Sequence, residues 1–307
     1  MTQLDSLAAT LSIEGCTSAF ADIDGTRIHY WIGGDPEGPP ILLWHGFLGT
    51  SFTWHRVMPM LVRAGYAVLA PDMRGYGDSA KPSGTDGYDA RALAEEFRAL
   101  IACLGFGSGK PLSIVGYDMG GPPALIWAAD HPSEVDALLY IDVPVMIPAV
   151  MTKLIVYSRE AMPTGSLWWW VLPLAPEVPE RLIVGREREF LTWFYENKSA
   201  VKGAVSEASV QEFLRSFSGS EGVLGALGLY RAAFTTMDQT EALETRKVEV
   251  PIFALGGDHS RGDQVRQWLT HVASNITGVV IPNCGHFVPE EQPEILVEHI
   301  ESAVRIS

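Results

Sequence analysis

Short apolar runs alternate with stretches of helical spacing along this chain, and the alternation is interrupted only once. "ILLWHG" (41–46) and "YAVLAPD" (66–72) are apolar almost throughout, as parallel strands covered on both faces are. Between them "SFTWHRVMPMLVRAG" has helical spacing and ends at Gly65, and "ARALAEEFRALIACLG" (90–105) repeats the pattern and stops at Gly105. "PLSIVGYD" supplies a third such strand, "PALIWAADHP" the helix after it, and "ALLYIDVP" (137–144) a fourth strand. Upstream, "SAFADIDG" and "TRIHYWIGG" read as a β-hairpin turning at Asp24-Gly25. From Met146 to Leu243 the sequence is helical and aromatic-rich, without strand-like runs. "PIFALGG" (251–257) and "TGVVIPN" (277–283) then resume the strands, with helices "DQVRQWLTHVA" and "PEILVEHIESAVRIS". The expected fold is α/β: a mostly parallel, doubly wound sheet with helices on both faces. Residues 1–145 and 244–307 would form its core domain. Residues 146–243 would form an inserted helical cap over the C-terminal ends of the strands, where such sheets place their sites.

With 307 residues, 47% of them hydrophobic, the chain has enough for one large core with an inserted subdomain, or for two small domains. A net charge of −15 argues against nucleic acid or an anionic membrane as partner. The most apolar insert segment, "SLWWWVLPLA", is too short and too Pro-broken to span a bilayer. Three cysteines, an odd count far apart in sequence, suit a reducing, cytoplasmic location. The start, "MTQLDSLAATLSIEG", has neither a basic region nor a long apolar run, so no signal peptide is expected. No CxxC or HExxH occurs, so neither a metal nor another cofactor is expected. The expected partners are a small hydrophobic substrate and water, and the expected state is a monomer or a homodimer.

"VGYDMGGPPALIW" runs strand, tight turn, helix, in the form Gly-x-nucleophile-x-Gly. The nucleophile position is Asp118. Its flanking glycines permit a strained turn that lifts the side chain above the sheet. Pro122 and Pro123 fall in the first helical turn, where a missing N–H does no harm. His286, in "IPNCGHFVPEEQP" after the last strand, stands where a nucleophile–acid–His order needs its base. Phe47, in "WHGFLGT" after the first parallel strand, is positioned to offer an oxyanion-hole N–H alongside that of Met119. His45 reads as a buried brace for that loop.

These motifs resemble α/β-hydrolases of the epoxide hydrolase and dehalogenase branch, whose nucleophile is Asp. The motifs that carry the likeness are "HGFLGTSFTWH", "PDMRGYGDSAKP", "GYDMGG", "YIDVP", "GRERE", "LYRAAF", "LGGDHSRGDQ" and "NCGHFVPEEQP", which together span most of the chain. A carboxylate needs no deprotonation at neutral pH and can displace a leaving group from sp3 carbon. The resemblance implies an alkyl ester on Asp118, hydrolysed by water that His286 activates. Many relatives take the acid that orients the His from the loop after the penultimate strand, where this chain offers Asp258. The usual position lies two residues on, at Ser260. Bacterial epoxide hydrolases of the cystic-fibrosis channel inhibitory factor type, and fluoroacetate dehalogenases, take it from the end of the strand after the elbow. That position is Asp142, the preferred acid here.

The leaving group must be met from the cap. Tyr230 in "GLYRAAF" matches the family's ring-opening Tyr. Counting back from "PERLIVGRERE", the family's His falls on Trp168 and its halide-binding Trp on Trp169. Where fluoroacetate dehalogenases carry two Arg, this chain has Met119 and Pro122. The favoured reading is an epoxide hydrolase acting on a hydrophobic epoxide. A haloalkanoate or haloalkane dehalogenase is the alternative, and a non-catalytic binding relative the second alternative.

Overall fold

The computed structural model describes residues 11–160 and 167–306. Strands β1 (Cys16–Ile23) and β2 (Thr26–Gly34) form the expected hairpin. Its turn residues Asp24 and Gly25 both have positive φ, 49° and 81°, the twist that two-residue hairpins favour. Strands β3 (Pro40–Trp44), β4 (Ala67–Pro71), β5 (Leu112–Tyr117), β6 (Val135–Ile141), β7 (Ile252–Gly257) and β8 (Ile276–Ile281) complete one sheet, in the order β1-β2-β4-β3-β5-β6-β7-β8. Only the pairings of β2 are antiparallel. The inner strands β3, β4, β5 and β7 are buried at every residue, which is why they lack the polar alternation of half-exposed strands. The edge strand β8 is largely exposed. The chain leaves β3 toward β4 on one side and takes up β5 on the other, so a crevice opens between the ends of β3 and β5.

The single helix expected over residues 51–65 is broken. A 3-10 turn (Ser51–Trp54) precedes α1 (Met58–Arg63). In a continuous helix Pro59 would leave the His55 carbonyl without a donor and push its ring against it. Helix α2 (Ala90–Leu104) is bounded by Asp89, whose side chain accepts the Ala92 N–H, and by left-handed Gly105. Helix α3 (Gly121–Asp130) follows β5.

Between β6 and β7 lie α4 (Pro148–Leu154), α5 (Trp168–Val171), α6 (Val178–Ile183), α7 (Glu187–Lys198), α8 (Glu207–Phe217), α9 (Gly219–Arg231) and α10 (Ala233–Glu241). The described residues of this segment contain no strand. Loops at the C-terminal ends of β3 and β4 tie these helices down. Tyr195 donates to the Leu48 carbonyl (2.7 Å), Tyr76 to the Ala226 carbonyl (2.7 Å), and Arg215 grips Asp78 through both nitrogens (2.7 and 2.8 Å). Helix α11 (Gln264–Leu269) follows β7, and α12 (Val288–Glu291) and α13 (Pro293–Ile306) follow β8. No helix among the described residues is long and apolar enough to cross a membrane.

Buried Asp72 organises the loop after β4. It accepts N–H groups from Ser51 (2.6 Å) and Asp78 (2.9 Å) and pairs with His29 Nδ1 (2.7 Å). Burial opposes its charge, yet the His29 contact holds its carboxyl well below the usual range. His29 is raised in turn, its burial outweighed by Asp72.

Candidate active site

Asp118 follows β5 with φ +48°, a left-handed conformation that non-glycine residues adopt at a cost of order 1–3 kcal/mol. The elbow can form because its neighbours lack side chains. A Cβ on Gly46 would come within 2.4 Å of the Asp118 Cβ, and one on Gly120 within 2.6 Å of the Trp44 and His45 carbonyls. The β3 loop therefore closes onto the carboxylate, and the Phe47 N–H donates to Asp118 Oδ1 at 2.7 Å. Met119 is buried at the start of the following turn, and its amide makes no hydrogen bond to the carboxylate in this structure. His45 braces the loop: Nδ1 donates to the Gly46 carbonyl (2.9 Å) and Nε2 accepts the Met73 N–H (3.0 Å). Burial lowers its pKa, so the ring is neutral, as this pairing requires.

His286 sits beyond β8 with Nε2 3.4 Å from Asp118 Oδ2 and Nδ1 2.7 Å from Asp142 Oδ2. Asp142 lies just past β6 at φ +53° and is buried. Its carboxylate also accepts the Ser260 hydroxyl (2.6 Å) and the Gly257 and Arg261 N–H groups (both 3.2 Å). The loop after β7 thus supplies donors to this carboxylate, which itself comes from the end of β6. Asp258 does not reach His286. It is exposed and accepts the Cys284 (2.9 Å) and Asn283 (3.0 Å) N–H groups, which hold its carboxyl below the usual value. Burial alone would lower the pKa of His286, but the carboxylates on either side raise it to about 9.

The His286 loop is anchored by a residue the sequence reading missed. Glu291 accepts N–H groups from Ala200, Val201, Gly285 and Phe287, at 2.7–3.0 Å. His286 N–H itself donates to the Lys198 carbonyl at 2.8 Å. The end of α7 and the His286 loop are one bonded unit. The only sequence signal is an acid five residues after the His, in "HFVPEE".

A cavity with about 50 Å³ of free volume opens above Asp118, several times the ~10–15 Å³ of such space that one water needs. Phe47, Trp169, Trp170, Phe194, Tyr230 and Phe287 form its apolar wall, and Lys198 and Arg261 also reach it. The Tyr230 ring lies edge-on to Phe47 (4.7 Å) and Trp170 (5.1 Å). Burial, then the charge of Asp118, push its pKa well above the ordinary value, so it is a neutral phenol at physiological pH. Its hydroxyl has no hydrogen-bond partner among the described residues.

Trp169 lines the cavity as expected, but Trp168 does not. Trp168 faces an outer hollow with Leu182, Phe190 and Trp193. Residues 168–171 form a single helical turn, so consecutive side chains point about 100° apart. Trp170, which motif counting passed over, is the second indole of the site.

A family model described as alpha/beta hydrolase fold matches residues 39–293. The soluble epoxide hydrolase of Corynebacterium sp. (strain C12) is 31% identical over 286 residues, covering 91% of this chain and 93% of that protein. The fluoroacetate dehalogenase of Burkholderia sp is 27% identical over 307 residues, covering 94% and 95%. The crystal structure of Cfl2 from Burkholderia cenocepacia superposes with a TM-score of 0.84 at 32% identity, covering 94% of this chain and 95% of that one. The chain belongs to the α/β-hydrolase family, and it is a hydrolase similar to epoxide hydrolases, with dehalogenases also among its relatives.

Proposed function

We propose that the protein opens a small epoxide to a vicinal diol through a covalent ester on Asp118. Asp118 Oδ2, the oxygen not engaged by Phe47, attacks an epoxide carbon and the C–O bond breaks. The electron pair goes to the ring oxygen, which takes the Tyr230 proton. Ester formation removes the Asp118 charge, and with it one of the two carboxylates that keep His286 protonated. His286 then passes its proton to the Tyr230 phenolate, which restores the phenol, and takes another from water as that water attacks the Asp118 carbonyl carbon. Phe47 and Met119 N–H groups hold the oxyanion on Oδ1. On collapse the bond from the Asp118 carbonyl carbon to Oδ2 breaks and the added hydroxyl gives its proton to the departing alkoxide, so the diol leaves and the carboxylate and protonated His286 return. Asp142 keeps the imidazole oriented through Nδ1. Helices of residues 146–243 act as the cap that excludes bulk water.

The observation that carries this reading is the unpartnered, neutral Tyr230 hydroxyl in the same cavity as Asp118. A departing halide needs no proton, whereas the alkoxide of an opened epoxide does. The test is a panel of small epoxides beside matched haloalkanoates, scored for diol and free halide. Diol is expected. Halide without diol from any epoxide overturns the reading in favour of a dehalogenase.

A further inference from the structure

Trp169, Lys198, Ser260 and Arg261 line both the inner cavity and a larger outer hollow of about 490 Å³. They form the boundary between the two, so a substrate that spans both spaces passes between them. The outer hollow is also lined by Lys153 and His259, and Glu160 is the one carboxylate among its described lining residues. In a chain of net charge −15, the approach to Asp118 is therefore locally cationic.

The two half-buried cations at the boundary lack the partners that buried charges normally have. Lys198 Nζ rests against the Trp169 and Trp193 rings, 4.8 and 5.7 Å from their centroids, and the Arg261 guanidinium lies 5.9 Å from that of Trp268. Neither has a carboxylate within 4 Å among the described residues. Burial, and then the Arg261 charge, lower the pKa of Lys198. The two cations thus destabilise each other, a penalty that an anion between them would relieve. Deeper in, the charged lining residues are Asp118, Asp142 and His286, which pair with one another, and the aromatic wall offers no charge.

We propose that the cavity mouth is a carboxylate subsite: the substrate is an amphiphilic epoxide whose ring lies among the aromatic residues and whose carboxylate sits between Lys198 and Arg261. This rests on the epoxide reading given above and names the class of epoxide. Lys198 is fixed relative to the chemistry because its own carbonyl holds the His286 loop.

The test compares terminal epoxy-carboxylates of graded chain length with their methyl esters. For the best-fitting length, kcat/KM for the carboxylate should exceed that of its ester by about tenfold or more, the scale of one charge-assisted hydrogen bond. Lys198→Met and Arg261→Met should each move that ratio toward one, Lys198→Arg should preserve it, and Lys247→Met, a charge change outside both spaces, should not alter it. Equal kcat/KM for acids and esters at every length overturns the proposal. If no epoxide gives diol, the epoxide reading fails alone, and hexanoate binding followed by tryptophan fluorescence decides the subsite. Binding that weakens about tenfold in Lys198→Met upholds it, and no binding to the unaltered protein overturns it.

Discussion

Asp118 Oδ2 and His286 Nε2 face each other at 3.4 Å, and the raised pKa of His286, about 9, depends on that pairing. Removing the charge of Asp118 should lower it. In Asp118→Asn the imidazole pKa is expected to fall by about 1–3 pH units, the scale of one carboxylate close by. NMR titration of the His286 ring protons reads this directly. A value still near 9 would show that the switch from acid to base proposed for the two half-reactions does not operate.

Asp142 and Asp258 separate cleanly by mutation. Asp142→Asn removes the charge that holds the imidazole in orientation, so ester hydrolysis should slow by about 10²–10⁴-fold in single-turnover kinetics. Asp258→Asn disturbs the amides of Asn283 and Cys284 and the exposed His259 beside it, and should leave the rate within a small factor. The reverse pattern would return the acid to the loop after β7.

Tyr230→Phe deletes a hydroxyl with no hydrogen-bond partner among the described residues and keeps the buried ring, so the melting temperature should hold. Diol formation should fall by about 10²–10⁴-fold, the usual contribution of a general acid. Halide release from any haloalkanoate that the enzyme accepts should be largely spared. Equal losses on both substrates would make Tyr230 a packing residue.

The Asp72–His29 pair predicts a pH-dependent stability. Asp72 is depressed below its unfolded value, so its contribution is complete above about pH 4 and fades as pH falls through the lowered value. His29 is raised above 6.5, so its contribution is complete below 6.5 and fades as pH rises through the raised value. The deficit of Asp72→Asn in urea unfolding should therefore be largest between about pH 4 and 6.5, at about 3–5 kcal/mol. A flat deficit across pH would mean that the pair is not ionised.

The sheet was readable because its inner strands are uniformly apolar and its elbow needs glycines at fixed offsets from Asp118. Asp118, His286 and Asp142 were readable as ends of strands, positions that the alternation of elements defines. The expected helix over 51–65 failed at Pro59, whose missing N–H outweighed the surrounding pattern. Trp168 failed for a different reason. Counting from a motif fixes a position along the chain, but not which side of a single helical turn faces the cavity. Lys198 and Arg261 carry no signal in sequence, and Glu291 only its place five residues after His286, because their surroundings arise only when α7 and the loops after β7 and β8 meet.

The central claim is that Asp118 itself bonds to carbon, and one experiment tests it most directly. Excess enzyme is mixed with an epoxide in ¹⁸O-water for a single turnover, and the diol and the peptide containing Asp118 are weighed by mass spectrometry. If the ester forms on Asp118 and water attacks its carbonyl, the first diol carries no label and one ¹⁸O appears in Asp118. Label in the first diol, with Asp118 unlabelled, would mean that water attacks the epoxide directly and that Asp118 is not the nucleophile.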